Sequence, residues 1–360
     1  AVIGKRPANL HEPVFEGNEW HYLKDCLDSG FVSSIGQYVA QFEQKIAEYT
    51  GANHAIAVVN GTAALHLAMI VAGVQSGDEV LMPSLTFVAT ANSVSYVGAV
   101  PHFVDIRRAD FGIDTATLRD YLKKITILKD GYCLNKNTGR VIRALMPMHV
   151  FGHPCNMNDL LSIADEFHLT LIEDAAESLG SFYHQKHAGT FGALGILSFN
   201  GNKTITTGGG GVILTDDAEI ASRAKHLSTT AKQPHAFAYK HTDIGFNYRM
   251  PNLNAALGCA QLEQLPQFLK SKRRLYQLYA DSFAKVENVT LFQEPNHCHS
   301  NYWLQTLILD EQLAPYHEDI IRGCINAGIN VRPVWTPLHL LPIYSASPAA
   351  PLSVTNTLAN

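Results

Sequence analysis

From residue 54 to residue 216 the chain alternates short apolar runs with amphipathic stretches, and that alternation restricts what it can fold into. The runs are HAIAVV (54–59), EVLMP (79–83), PHFVDI (101–106), IRALMPMHV (142–150), LTLIED (169–174), GILSFN (195–200) and GVILTD (211–216). Several are apolar throughout, as strands covered on both faces are. Between them, QYVAQFEQKIAEYTG carries Val39, Phe42, Ile46 and Tyr49 near one helical face and stops at Gly51. GTAALHLAMIVAG (61–73) is so apolar that a buried helix is expected, and IDTATLRDYLKKI (113–125) starts at Asp114, a good N-cap. Strands alternating with helices predict an α/β fold, with a mixed, mostly parallel sheet flanked by helices.

After Thr242 the character changes. Residues 250–283 read as helix, while NYWLQTLIL (301–309) and GINVRPVW (328–335) read as strands of a smaller α+β domain. The expected division is a large domain over 1–242 and a small one over 243–360. The last residues, SVTNTLAN, offer no obvious closing element, so the natural chain is expected to continue beyond them.

Composition removes several classes of function. The 360 residues are 46% hydrophobic and 16% charged, which describes a globular protein with room for a large core. A net charge of −5, without a lysine- or arginine-rich run, gives no basis for nucleic-acid binding. The six cysteines are scattered with no C-x-x-C pair, which favours reduced thiols. No signal-like segment or run of membrane-spanning length occurs, so a cytoplasmic protein is expected. His149 and His153 around Phe-Gly, and the HCH of 297–299, resemble metal ligands only superficially, and no metal is expected.

One lysine stands apart. In SFNGNKTITTGGGG (198–211), Lys203 lies among Asn200, Asn202, Thr204, Thr206 and Thr207, ahead of four glycines. A phosphate-cradling P-loop would place its glycines before the lysine, so that reading fails. A surface turn and a lysine that forms a Schiff base remain. Elsewhere, Asp174 ends a strand-like run, where α/β proteins place ligand sites. Gly61-Thr62 opens a helix and could hold a phosphate, and Phe87 follows another strand end. These are the parts that pyridoxal phosphate needs: a lysine for its aldehyde, an anion site, a carboxylate for its ring nitrogen and a flat side chain against its ring.

With these residues in place, the chain resembles the DegT-type aminotransferases that act on nucleotide sugars. The resemblance is carried by NGTAALHLA, GDEVLMPSLTFVATANSV, PMHVFGHP, IEDAAESLG, SFNGNKTITTGGGGVILTDD and GFNYRMPNLNAALGCAQLEQL. It implies the fold type I of pyridoxal phosphate-dependent transferases, and the wording looks most like the LegC-type subgroup. By the same resemblance Lys203 is the Schiff-base lysine and Asp174 the partner of the ring nitrogen. Gly61, Thr62 and Ser198 fall where the family binds phosphate, and Phe87 where an aromatic stacks on the ring. Asn247 matches an asparagine that reaches the phosphate from a neighbouring subunit, which implies a homodimer with shared sites.

Two positions depart from the family pattern. Glu177 stands where glutamine is usual and would repel the cofactor's phenolic oxygen unless protonated or turned away. Asn254 also replaces a usual glutamine. Towards the substrate, His149 matches a family histidine near the pocket, with a structural role as the alternative. Arg249 and Arg332 are candidates for the negative groups, Trp335 for a sugar or base face, and His339 for the same wall, although Arg332 could equally be a surface residue. The implied reaction moves an amino group from glutamate to a UDP-linked 4-keto-6-deoxy-N-acetylhexosamine, with Lys203 carrying the proton. Another pyridoxal phosphate reaction, or a non-catalytic sensor on the same scaffold, is the alternative.

Overall fold

The computed structural model describes residues 7–359; residues 1–6 and Asn360, at the outer ends of the two expected domains, lie outside the described residues. Helices α1 (Glu19–Ser29) and α2 (Gln37–Thr50) precede β1 (His54–Val58), α3 (Gly61–Val71), β2 (Glu79–Pro83), α4 (Val88–Tyr96), β3 (Val100–Val104) and α5 (Thr115–Ile125). A hairpin of β4 (Thr126–Lys129) and β5 (Tyr132–Asn135) leads into β6 (Val141–Leu145), α6 (Met157–Glu166) and β7 (Thr170–Asp174). Then come β8 (Leu194–Ser198), β9 (Gly211–Thr215) and α7 (Ala218–Ser228). Every run expected as a strand between 54 and 216 contains one.

These nine strands form one sheet with the path β1-β9-β8-β7-β6-β2-β3, to which β5 and β4 add beyond β6. Strand β9 is antiparallel to both neighbours, and the pairs from β8 to β3 are parallel. Six strands therefore end at one edge. The apolar runs are explained by burial on two sides. Val80, Met82, Phe103 and Ile172 pack with α3, α4 and α7 on one face, while Leu81, Val104 and Leu171 pack with α5 and α6 on the other. Near β1 and β9, Ala57, Leu197, Val212 and Leu214 meet α1, α2 and the start of α8 (Asn252–Phe283). Among the described residues no helix is long and apolar enough to cross a membrane.

Beyond residue 242 the packing is divided. The first half of α8 is buried against α1 and α2, and its later turns lead into the region expected to form the small domain. There Val289–Leu291 pairs antiparallel with Leu307–Leu309, and α9 (His317–Asn326) follows. The strand expected over 301–309 is limited to its last three residues. The one expected over 328–335 makes only a bridge between Ala8 and Ile329. The chain then returns to the sheet. Tyr344 and Leu352 enter its core, Phe103 exchanges backbone bonds with Pro348 and Ala350, and α10 (Ser353–Ala359) is capped by Asp105.

Candidate active site

The glycine run earns its place at the carboxyl edge of the sheet. The ladder sets Gly211 opposite both Val58 and Ser198. A Cβ on Gly211 would lie 2.5 Å from the carbonyl carbon and oxygen of Asn60 and 2.7 Å from the nitrogen of Gly61. One on Gly61 would lie 3.0 Å from Ser198 Cβ. Gly208, at φ +78°, uses the left-handed region, whereas Gly209 would meet only Val59 O at 3.8 Å. Asn60 caps α3 by accepting from the Ala63 N–H at 2.8 Å. The first turn of α3, opening at Gly61-Thr62, thus begins beside Ser198 in a cradle packed so closely that a side chain at Gly61 or Gly211 would crowd it. An anion is drawn to such a helix start. Asn254 supports the run by donating to the carbonyls of Thr207 (2.7 Å) and Gly209 (3.1 Å).

At the next strand ends stand the charged groups. Asp174 is 2% exposed; its Oδ2 accepts from Thr90 Oγ1 at 2.8 Å and its Oδ1 from the Ala176 N–H at 3.2 Å. Burial pushes this carboxyl above the ordinary range, opposed by those two bonds and by the charge of Lys203. Lys203 donates to Glu177 Oε1 at 3.1 Å, and Glu177 Oε2 accepts from the Phe151 N–H at 2.9 Å. Glu177 is therefore turned towards the lysine. Burial raises its pKa as well, and the Lys203 charge opposes the rise. Phe87, at the start of α4, keeps its ring half exposed, 6.4 Å from Trp335, which in turn lies 5.0 Å from Phe151. These three rings form an aromatic cluster, joined to the charged groups through the Phe151 N–H on Glu177.

The other candidates divide. His149 is fully buried: its Nδ1 accepts from the Cys155 N–H at 3.1 Å, so its Nε2–H donates to Glu173 Oε2 at 3.0 Å. With both nitrogens engaged inside the protein it has none left for a substrate, and its structural role is the one the packing supports. His339 Nδ1 bonds Ser84 Oγ at 2.7 Å, next to the end of β2. Asn247 is exposed, accepts from Arg249 Nε at 3.0 Å, and belongs to a segment whose Tyr248 carbonyl bonds Val59 just before α3. Arg332 is exposed and donates to the carbonyl of Val331. His153 is enclosed by Phe292 and Tyr302, and burial lowers its pKa to about 3.

The sequence reading missed several residues of this site. Trp303 is 4% exposed, with the Lys203 Nζ 4.2 Å from its ring centroid. Asn301, also buried, donates from Nδ2 to the carbonyls of Glu177 (2.8 Å) and Leu179 (2.9 Å). Its side chain ties the 301–306 segment to the loop after β7, which is why that segment is not a strand. A polar residue two before a tryptophan in an apolar run was the available signal. Thr90 and Phe151 were likewise hidden, although the left-handed Phe151-Gly152 pair marks a bent loop (φ 55° and 92°).

A model of the DegT/DnrJ/EryC1/StrS aminotransferase family matches residues 14–360. The chain is 38% identical over 334 residues to the GDP-perosamine synthase of Caulobacter vibrioides, covering 92% of this chain and 85% of that one. It is 38% identical over 335 residues to EpsN of Bacillus subtilis, provisionally named a pyridoxal phosphate-dependent aminotransferase, with coverages of 93% and 83%. Among solved structures, DesI in the presence of its TDP-sugar product superposes with a TM-score of 0.85 at 28% identity, covering 99% of this chain and 86% of that one.

Proposed function

The chain belongs to the DegT/DnrJ/EryC1/StrS aminotransferase family, and from that premise we propose that it aminates a UDP-linked 4-keto-6-deoxy-N-acetylhexosamine with glutamate as donor. It is a sugar aminotransferase, and pyridoxal phosphate is its cofactor. When bound, that cofactor supplies an electron sink that lets a proton leave the carbon bearing the amino group. The residues present fit it. Gly61, Thr62 and Ser198 would hold the phosphate, Asp174 would keep the proton on the ring nitrogen, and Phe87 would lie against the ring. Lys203 takes and returns a proton at Nζ, as general base and then general acid. Phe151 and Trp335 limit water above it and offer faces to a sugar or base.

The observation that carries this reading is the convergence of Lys203, buried Asp174 and the glycine-lined helix start on one edge of the sheet. The choice of UDP and of an N-acetyl sugar rests on the likeness of the motifs to the LegC-type subgroup. The second reading, a GDP-linked sugar, is favoured by the 38% identity to a protein named GDP-perosamine synthase. The active unit is a homodimer in the cytoplasm: Asn247 and Arg249 lie near the outer surface beside α3, available to a second copy, and the six cysteines are free thiols.

The test is product analysis by mass spectrometry and NMR, with glutamate and UDP-, GDP- and TDP-linked 4-keto sugars. Amination of the UDP-N-acetyl substrate well ahead of the others is expected. Preference for the GDP sugar would select the second reading. Faster exchange between two ordinary amino acids than with any sugar nucleotide would refute both.

A further inference from the structure

Lys203 is held from two sides. Its Nζ donates to Glu177 Oε1 at 3.1 Å and lies 4.2 Å from the ring centroid of Trp303. Both partners are 4% exposed, and each is fixed independently of the lysine. Glu177 Oε2 is engaged by the Phe151 N–H. The Trp303 indole N–H donates to the Asn202 carbonyl at 2.7 Å, its backbone N–H to Asn301 Oδ1 at 2.8 Å, and its carbonyl accepts from Lys272 Nζ at 2.9 Å. Asn301 then bonds the carbonyl of Glu177 itself, so one strap from the small domain fixes both walls.

A carboxylate and the face of an indole share one property: each attracts a cation more than a neutral amine. A glutamine at 177 could accept from Phe151 through its single oxygen, but its N–H donors would then face the lysine. The carboxylate accepts from both at once. We propose that Glu177 and Trp303 are positioning residues that together form a receptor for the Lys203 ammonium, setting where the lysine rests while it carries a proton. This rests on the reading of Lys203 as the proton-carrying lysine. The amine becomes an ammonium when it takes the proton from the donor carbon, and returns to an amine when it delivers that proton to the acceptor carbon. The receptor stabilises the charged form between the two transfers and leaves the amine free to depart.

The test uses the full chain without cofactor. Lysines of the parent, Glu177→Gln, Trp303→Leu and Trp303→Phe proteins are acylated with acetic anhydride at one fixed pH, and peptide mapping follows Lys203. An ammonium held by its receptor is protected from acylation. Glu177→Gln should raise the Lys203 rate about tenfold, and Trp303→Leu about threefold. Trp303→Phe keeps a ring face and should stay within about twofold of the parent. In the loaded enzyme, Glu177→Gln should lower kcat with little change in KM for the donor, a split that loss of packing alone does not produce. If Trp303→Leu does not fold, Glu177→Gln and Trp303→Phe decide. Unchanged Lys203 labelling in folded Glu177→Gln, with borohydride still fixing the cofactor on Lys203, overturns the receptor alone. Cofactor fixed on a different lysine overturns the proton-carrying role and the proposal with it.

Discussion

Gly211→Ala isolates the contact on which the anion cradle depends. The added Cβ would stand 2.5 Å from backbone atoms of Asn60 and 2.7 Å from Gly61 N, where ordinary contact begins at 3.4 Å, so the start of α3 must retreat by about 0.9 Å (3.4 − 2.5). The neighbours are backbone and cannot rotate away. Overpacking of this kind costs about 1–3 kcal/mol of stability. A shift of that size also spoils the aim of the amides at Gly61 and Thr62. A hydrogen bond to a charged group contributes about 1.5–3 kcal/mol, and each 1.4 kcal/mol is a factor of ten. Losing one such bond therefore weakens pyridoxal phosphate binding by about 10- to 100-fold. The assay is titration of cofactor into apoprotein in a Lys203→Ala background, which removes the covalent link and leaves the phosphate contacts. Gly209→Ala is the control, since its Cβ meets only Val59 O at 3.8 Å; its affinity should stay within about twofold of the parent. Parent-like binding by Gly211→Ala, or equal damage from Gly209→Ala, would refute the cradle as the phosphate site.

Three further outcomes follow from the same geometry. Burial raises the pKa of Asp174, so the folded protein binds its proton more tightly than the unfolded chain does, and this group's contribution to stability declines as pH rises from the ordinary carboxylate range through the raised value. Asp174→Asn lacks that decline: thermal unfolding of the apoprotein should show the variant gaining on the parent as pH rises from 4 to 7, while its proton-transfer step slows by orders of magnitude. Asn301→Ala strips donors from the buried carbonyls of Glu177 and Leu179 and should cost about 2–4 kcal/mol in urea unfolding; a loss under about 0.5 kcal/mol would argue that water replaces the amide. Mixing inactive Lys203→Ala and Asn247→Asp chains should restore part of the activity if sites are shared between subunits, and no recovery after proven subunit exchange would place both residues in one chain's site.

Much of the scaffold was legible because its signals are local. Burial on both faces is written into the uninterrupted apolar runs EVLMP and GVILTD, and the caps at Asp114 and Gly51 are read within one turn of the helices they bound. Lys203, Asp174 and the glycine run were legible for a related reason: each is an unusual residue type at the end of a readable element. What surrounds them was not. Trp303 reaches Asn202 across 101 positions, and Asn301 reaches Leu179 across 122. In an apolar run they look like parts of a strand until the small domain sets them against the lysine. His149 shows the converse: the resemblance left open a place near the pocket or a structural role, and both of its nitrogens are bonded inside the protein. The return of residues 338–359 to β3, against a boundary drawn near 242, has the same origin. Periodicity and caps report the path of the backbone over a few residues, whereas a side chain's partners depend on which distant surface packing brings within reach.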